Sequence, residues 1–178
     1  MDKNLIDLLG RIGSDKELVS VFSSSLENGK HLNITGLCAE QKVYVAMALA
    51  RLSGRKAVFI EPDSARARVT ASYCAAFTDG PVTLLMPSEL SLVSAEASSR
   101  ELEQSRAAAL SELVRGGFGA AVISAGALLN KLEPKNVFAK RIIKLEVGQE
   151  MERDELVGAL LLNGYENVPQ VMEKGSSR

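Results

Sequence analysis

The stretch "LNITGLCAEQKVYVAMALARL", residues 32–52, decides how the chain is read. A short apolar run ends at Thr35 and Gly36, and a helical pattern carrying Lys42 follows. Strand, glycine turn, helix is how a phosphate-binding loop begins. Such a loop needs the pattern G-x-x-x-x-G-K-[ST]: glycines let backbone N–H groups wrap the phosphates, the lysine reaches them, and a hydroxyl binds magnesium. With Lys42 as the lysine, Gly36 takes the first glycine position, but Gln41 replaces the second glycine and Val43 the hydroxyl residue. With Thr35 and Gly36 placed inside the loop instead, the lysine position is Ala39, and Glu40 puts a carboxylate where phosphate would sit. Either register has the order of a nucleotide fold without its chemistry. The expectation is a degenerate nucleotide site.

Outward from this stretch, four nearly continuous apolar runs read as strands: 32–37, "AVFIEP" at 57–62, "VTLLMP" at 82–87 and "AAVIS" at 120–124. Strands buried on both faces have this character. Helical patterns at 39–52 and 64–77, and a longer one ending at Gly116 and Gly117, lie between them. The alternation predicts an α/β fold, a parallel sheet with helices on both faces. Ser14 and Asp15 open a further helix that runs toward Gly29. Past Pro134 and Asn136 the pattern changes to a strand at 141–147, a turn at Gly148, a helix from Arg153 to Leu162 closed by Gly164, and an extended run at 167–174. The expected division is 1–135 as a degenerate P-loop-like α/β domain and 136–178 as a small β-α-β opening of a second domain.

Composition narrows the function. The chain has 178 residues, 46% hydrophobic and 24% charged, which is ordinary for a globular protein. No run approaches the roughly 18 apolar residues of a membrane span. The first residues lack the apolar core of a secretory signal, so a cytoplasmic protein is expected. The net charge is −1 and aromatics make up 4%, which argues against phosphate gripping and base stacking as ways to hold nucleic acid. Cys38 and Cys74 lack metal-ligand spacing and read as reduced thiols. The single histidine, His31, cannot complete a zinc site or anchor a catalytic triad. "IEPD" at 60–63 could pass for an acidic metal motif, but reads better as a strand-to-helix turn capped by Asp63 or Ser64.

The stretch "LEQSRAAALSELVRGGFGAAVISAGALLNKL" resembles a helix and following strand of the UvrB excision-repair protein. "LEVGQEMERDELVGALLLNGYENVPQVMEKG" resembles the opening of the next domain in UvrB and in transcription-repair coupling factors (Mfd). The matching pieces are Val147, Gly148 and Gln149, the leucine-spaced helix, Gly164 with Tyr165, and Gln170. UvrB keeps an intact phosphate loop; coupling factors carry a UvrB-like N-terminal module whose site has decayed. The resemblance therefore implies the N-terminal module of a coupling factor. It implies no hydrolysis and no cofactor in this module, and docking of the damage-recognition protein UvrA through the second domain, near Tyr165, Asn167, Gln170 and Arg178. The full-length parent would be an ATP-dependent DNA translocase that contacts RNA polymerase. In the family a G-x-[FY]-x-x-R-G segment with UvrA-binding arginines follows. Here Gly175 precedes only Ser176, Ser177 and Arg178, so either Arg178 stands for such an arginine or the segment is cut. The family also tends to place an arginine just after the tyrosine, where this chain has Glu166 and Asn167. Two other readings compete: a working nucleotide-dependent enzyme of the UvrB type, and an unrelated doubly wound binding domain.

Overall fold

The computed structural model describes residues 9–87, 96–143, 145–163, 165–167 and 176–177. They fall into two units, Met1–Lys131 and Leu132–Arg178.

In the first unit, helix α1 covers Lys16–Glu27 and α2 Ala39–Leu52; strand β1 covers Ala57–Glu61, α3 Ser64–Ala75, β2 Val82–Leu85, α4 Glu96–Arg115, β3 Ala120–Ser124 and the short α5 Ala125–Leu128. The helix starts follow side-chain chemistry. Asp15 accepts a hydrogen bond from the Leu18 N–H at 3.0 Å, and Asp63 accepts one from the Arg66 N–H at 2.8 Å. Each occupies a donor that the first helical turn leaves unpaired. The acidic run at 60–63 is thus spent on structure, and Glu61 accepts from the Thr70 hydroxyl at 2.7 Å.

The three strands form one parallel sheet in the order β1-β3-β2. Ala57 pairs with Ala120, and Val82 also pairs with Ala120, so β3 is central. Successive side chains of a strand point to opposite faces, and two cores result. On one face Ala120 and Val122 pack with Ala67 and Cys74 of α3 and with Val43, Met47 and Ala48 of α2. On the other, Leu85 and the half-buried Ile123 pack with Ala109, Leu110 and Leu113 of α4 and with Ala127 of α5. The α/β architecture with helices on both faces is as read from the sequence.

The strand count is not. The run 32–37 forms no strand. Asn33, Ile34, Thr35 and Gly36 are exposed, and only Leu32 and Leu37 are half-buried. The apolar residues of this run suggest a strand, but among the described residues no ladder pairs it with another strand.

In the second unit, α6 covers Lys135–Arg141 and α7 Arg153–Leu162, and the two-residue strands β4 (Glu166–Asn167) and β5 (Ser176–Ser177) pair in parallel. The strand expected at 141–147 is absent from its described residues; Pro134 instead caps α6, which runs through Arg141, its carbonyl accepting from the Val137 and Phe138 N–H groups at 2.9 and 3.0 Å. Arg141 closes that helix with an ion pair to Glu133 at 2.9 Å. Of the extended run at 167–174, only residue 167 is described.

Candidate functional site

The first candidate is the N-terminus of α2. An open helix start presents N–H donors and a positive dipole end to an anion. Gly36 turns the chain into it with φ +80°, a conformation that favours glycine. Cys38 is the cap residue. The three residues that decide the site's chemistry then face three ways.

Gln41 folds back so that its Oε1 accepts from the Cys38 N–H at 3.0 Å. This is one half of a capping box, and it takes up a donor that a phosphate loop would offer to its ligand. Val43 is 2% exposed and belongs to the core between α2 and the sheet. Even a hydroxyl at this position would face apolar side chains rather than a metal. Lys42 is exposed. Thr35 is exposed too, on the segment that leads to the turn.

Glu40, in the first turn of α2, brings the chain's own negative charge to this helix start. Its carboxylate is held below the usual range, first by a hydrogen bond from its own backbone N–H, then by Tyr73 and by Cys38. The Tyr73 hydroxyl, on α3, donates to Glu40 Oε1 at 2.7 Å. The same bond pushes the Tyr73 hydroxyl up, with burial and the charges of Glu40 and Cys38 adding to it. A bound phosphate here would meet a carboxylate fixed in place by two helices. Tyr73 was invisible to motif reading, because it joins the site from 33 residues away. Among the described residues no group of three or more His, Cys, Asp or Glu side chains could hold a metal. No helix among them is long and apolar enough to cross a membrane.

The second candidate is the surface around Tyr165. Asn163 caps α7, its Nδ2 donating to the Ala159 carbonyl at 2.8 Å. The Tyr165 N–H donates to the Leu160 carbonyl at 3.1 Å, so the residue closes the helix through its backbone. The residue is left 38% exposed, next in the chain to β4, which contains Asn167. Leu161 and Leu162, at the same helix end, are exposed. Gln170 and Arg178 lie outside the described residues. The turn before α7 is built by Glu146 and Gln149: the Gln149 N–H donates to the Glu146 carbonyl and the Glu146 N–H to Gln149 Oε1, both at 3.1 Å, around Gly148 at φ +86°.

Compared with models of protein families the chain matches none, and no curated protein matches it.

Proposed function

We propose that this chain is the non-catalytic N-terminal module of a transcription-repair coupling factor, and that it docks the excision-repair protein UvrA during transcription-coupled DNA repair. One observation carries the non-catalytic half of the reading. The place where a P-loop fold would hold phosphate is occupied by Gln41 capping Cys38 and by the Glu40 carboxylate bound to Tyr73. An α/β sheet kept intact around a filled site is the expected state of a P-loop domain that has lost nucleotide and retained its scaffold role. The docking half rests on the sequence resemblance and on Tyr165, whose backbone closes α7 while its ring stays partly exposed. Tyrosine brings rigid contact area and arginine forked hydrogen bonds, and both are common anchors of protein interfaces.

In this reading the module has no cofactor and hydrolyses nothing. RNA polymerase and DNA are partners of the full-length parent rather than of these residues. The test is capture of purified UvrA by the immobilised chain, extended through the G-x-[FY]-x-x-R-G segment. Replacing Tyr165 and Arg178 by Ala should weaken binding by roughly 1–3 kcal/mol each. Equal capture by the parent and both variants would place the docking surface elsewhere, and no capture by the parent would remove the UvrA assignment.

A further inference from the structure

A groove of about 500 Å³ runs along α2 in the first unit. One wall is a stripe of α2 and its C-cap: Lys42, Val45, Ala46, Leu49, Ala50 and Ser53. Steps of three and four residues put these side chains on one side of the helix. At a rise of 1.5 Å per residue the stripe is about 16 Å long. Phe22 of α1 and Leu32, Ile34 and Leu37 supply further apolar wall. A volume of this size is typical of pockets that hold small molecules.

The polar groups of the lining are few. Ser53 spends its hydroxyl proton on the Leu49 and Ala50 carbonyls, at 2.8 and 3.0 Å. Lys56 donates to the Gly116 and Phe118 carbonyls and lies over the Phe118 ring. That leaves Asn33, Lys42 and Arg55 as lining side chains with polar atoms to offer, all three exposed. No aspartate or glutamate lines the groove. Among the described residues neither Lys42 nor Arg55 forms an ion pair. Lys42 stands at one end of the stripe, and Arg55 lies past the other.

We infer that the groove binds a long-chain fatty acid, its hydrocarbon chain along Val45 and Leu49 and its carboxylate at Arg55. An alkyl chain asks for no hydrogen bonds from walls whose hydroxyl and ammonium are already spent, whereas a peptide would bring a donor and an acceptor with each residue. Unopposed cations suit an anionic head rather than a cationic one. Arg55 is the better seat for that head: a guanidinium grips a carboxylate with two parallel hydrogen bonds. Lys56 adds a second positive charge next to it in the chain, whereas Lys42 shares its helical turn with Glu40. The ligand also gives Leu32, Ile34 and Leu37 an apolar partner, on a segment where no backbone–backbone hydrogen bond involves residues 31–37 among the described residues. This site lies wholly in the first unit and does not depend on UvrA docking through the second.

The test uses the full chain with myristate, octanoate and tetradecyltrimethylammonium as probes, each below its micelle concentration. Calorimetry should show saturable binding of myristate. Octanoate should bind about a hundredfold more weakly or worse, because it takes fewer methylenes out of water. The quaternary ammonium should bind at least about tenfold more weakly than myristate. Arg55→Glu should weaken myristate binding at least about tenfold, and Lys42→Glu by less than about threefold. On binding, the methyl NMR signals of Leu37, Val45 and Leu49 should shift, while those of Ile60 and Leu129, which are exposed and do not line the groove, should stay. Ala46→Phe, which fills the groove, should abolish binding; should that variant fail to fold, Arg55→Glu at its exposed position still decides. No saturable binding of myristate, equal binding of the two head groups, a larger loss with Lys42→Glu than with Arg55→Glu, or shifts centred on Ile60 and Leu129 would each overturn the proposal.

Discussion

The Tyr73 hydroxyl donates to the Glu40 carboxylate at 2.7 Å, across the gap between α3 and the first turn of α2. This bond ties the two helices of one sheet face together at the point where a nucleotide fold would leave an opening. It also sets a pH dependence. The Glu40 carboxyl is lowered, so its contribution to stability is present above the ordinary carboxylate range and is lost as pH falls through the lowered value. The Tyr73 hydroxyl is raised, so its contribution is present below the ordinary tyrosine value near 10 and is lost as pH rises through the raised one.

Tyr73→Phe should therefore do two things. The Glu40 titration, followed by its carboxyl carbon in NMR, should move up toward an ordinary glutamate. The acid limb of the stability curve should become shallower, with a small loss of stability near neutrality. An unchanged Glu40 titration would mean that the bond does not form in solution.

Gly119 meets Thr78 at the start of β3. A Cβ at Gly119 would come within 2.0 Å of Thr78 Oγ1 and 3.0 Å of its Cβ. The Gly119 N–H also donates to the Pro81 carbonyl at 2.9 Å, which fixes the backbone there. Gly119→Ala should cost about 1–3 kcal/mol through overpacking. In a Thr78→Ala background the same change should cost much less, a coupling that a double-mutant cycle in denaturant measures directly. Additive effects would show that the loop yields freely.

The sequence made most of this fold legible, for a physical reason. Ala57–Glu61, Val82–Leu85 and Ala120–Ser124 are short apolar runs bounded by turns, and Asp15 and Asp63 announce helices through their capping oxygens. These are local signals. The run 32–37 carries the same apolar signal, but becoming a strand needs a partner edge, and no local pattern reports one. Pro134 misled in another way: it marks the start of a short helix where a boundary before a strand was expected. At the candidate site, Gly36, Gln41 and Val43 could be placed from spacing alone. Tyr73 could not, because it reaches the site through a tertiary contact.

The two cysteines should behave differently. Cys38 is exposed, whereas Cys74 is buried. Burial is the first cause that pushes the Cys74 thiol up, to about 12, and the nearby Glu61 carboxylate adds to it. A disulfide reagent at pH 8 should titrate one thiol quickly in the native protein and the second only on unfolding, since the thiolate is the reactive form. The raised Cys74 value also means that unfolding is favoured progressively as pH rises from the ordinary thiol range toward 12, where the unfolded thiol ionises and the folded one does not. Two fast thiols at pH 8 would contradict the buried position of Cys74.

ATP with magnesium should leave the melting temperature unchanged. A ligand at 100 times its dissociation constant would add about 2.7 kcal/mol, and a shift of that size is readily seen for a chain of this length. The expectation of no shift follows from three separate features. The Cys38 N–H is already paired with Gln41, the Val43 side chain faces the core, and the Glu40 carboxylate, held by Tyr73, puts a negative charge at the helix start. Restoring one feature should not restore binding. Gln41→Gly frees the donor but leaves the carboxylate, and Glu40→Thr removes the charge but leaves Gln41 over the Cys38 N–H. Glu40→Thr should also lose the Tyr73 bond and with it the lowered-carboxyl contribution to stability near neutrality. A rise in melting temperature for the parent chain at millimolar ATP, absent with magnesium alone, would refute the filled-site reading and bring back the nucleotide-dependent one.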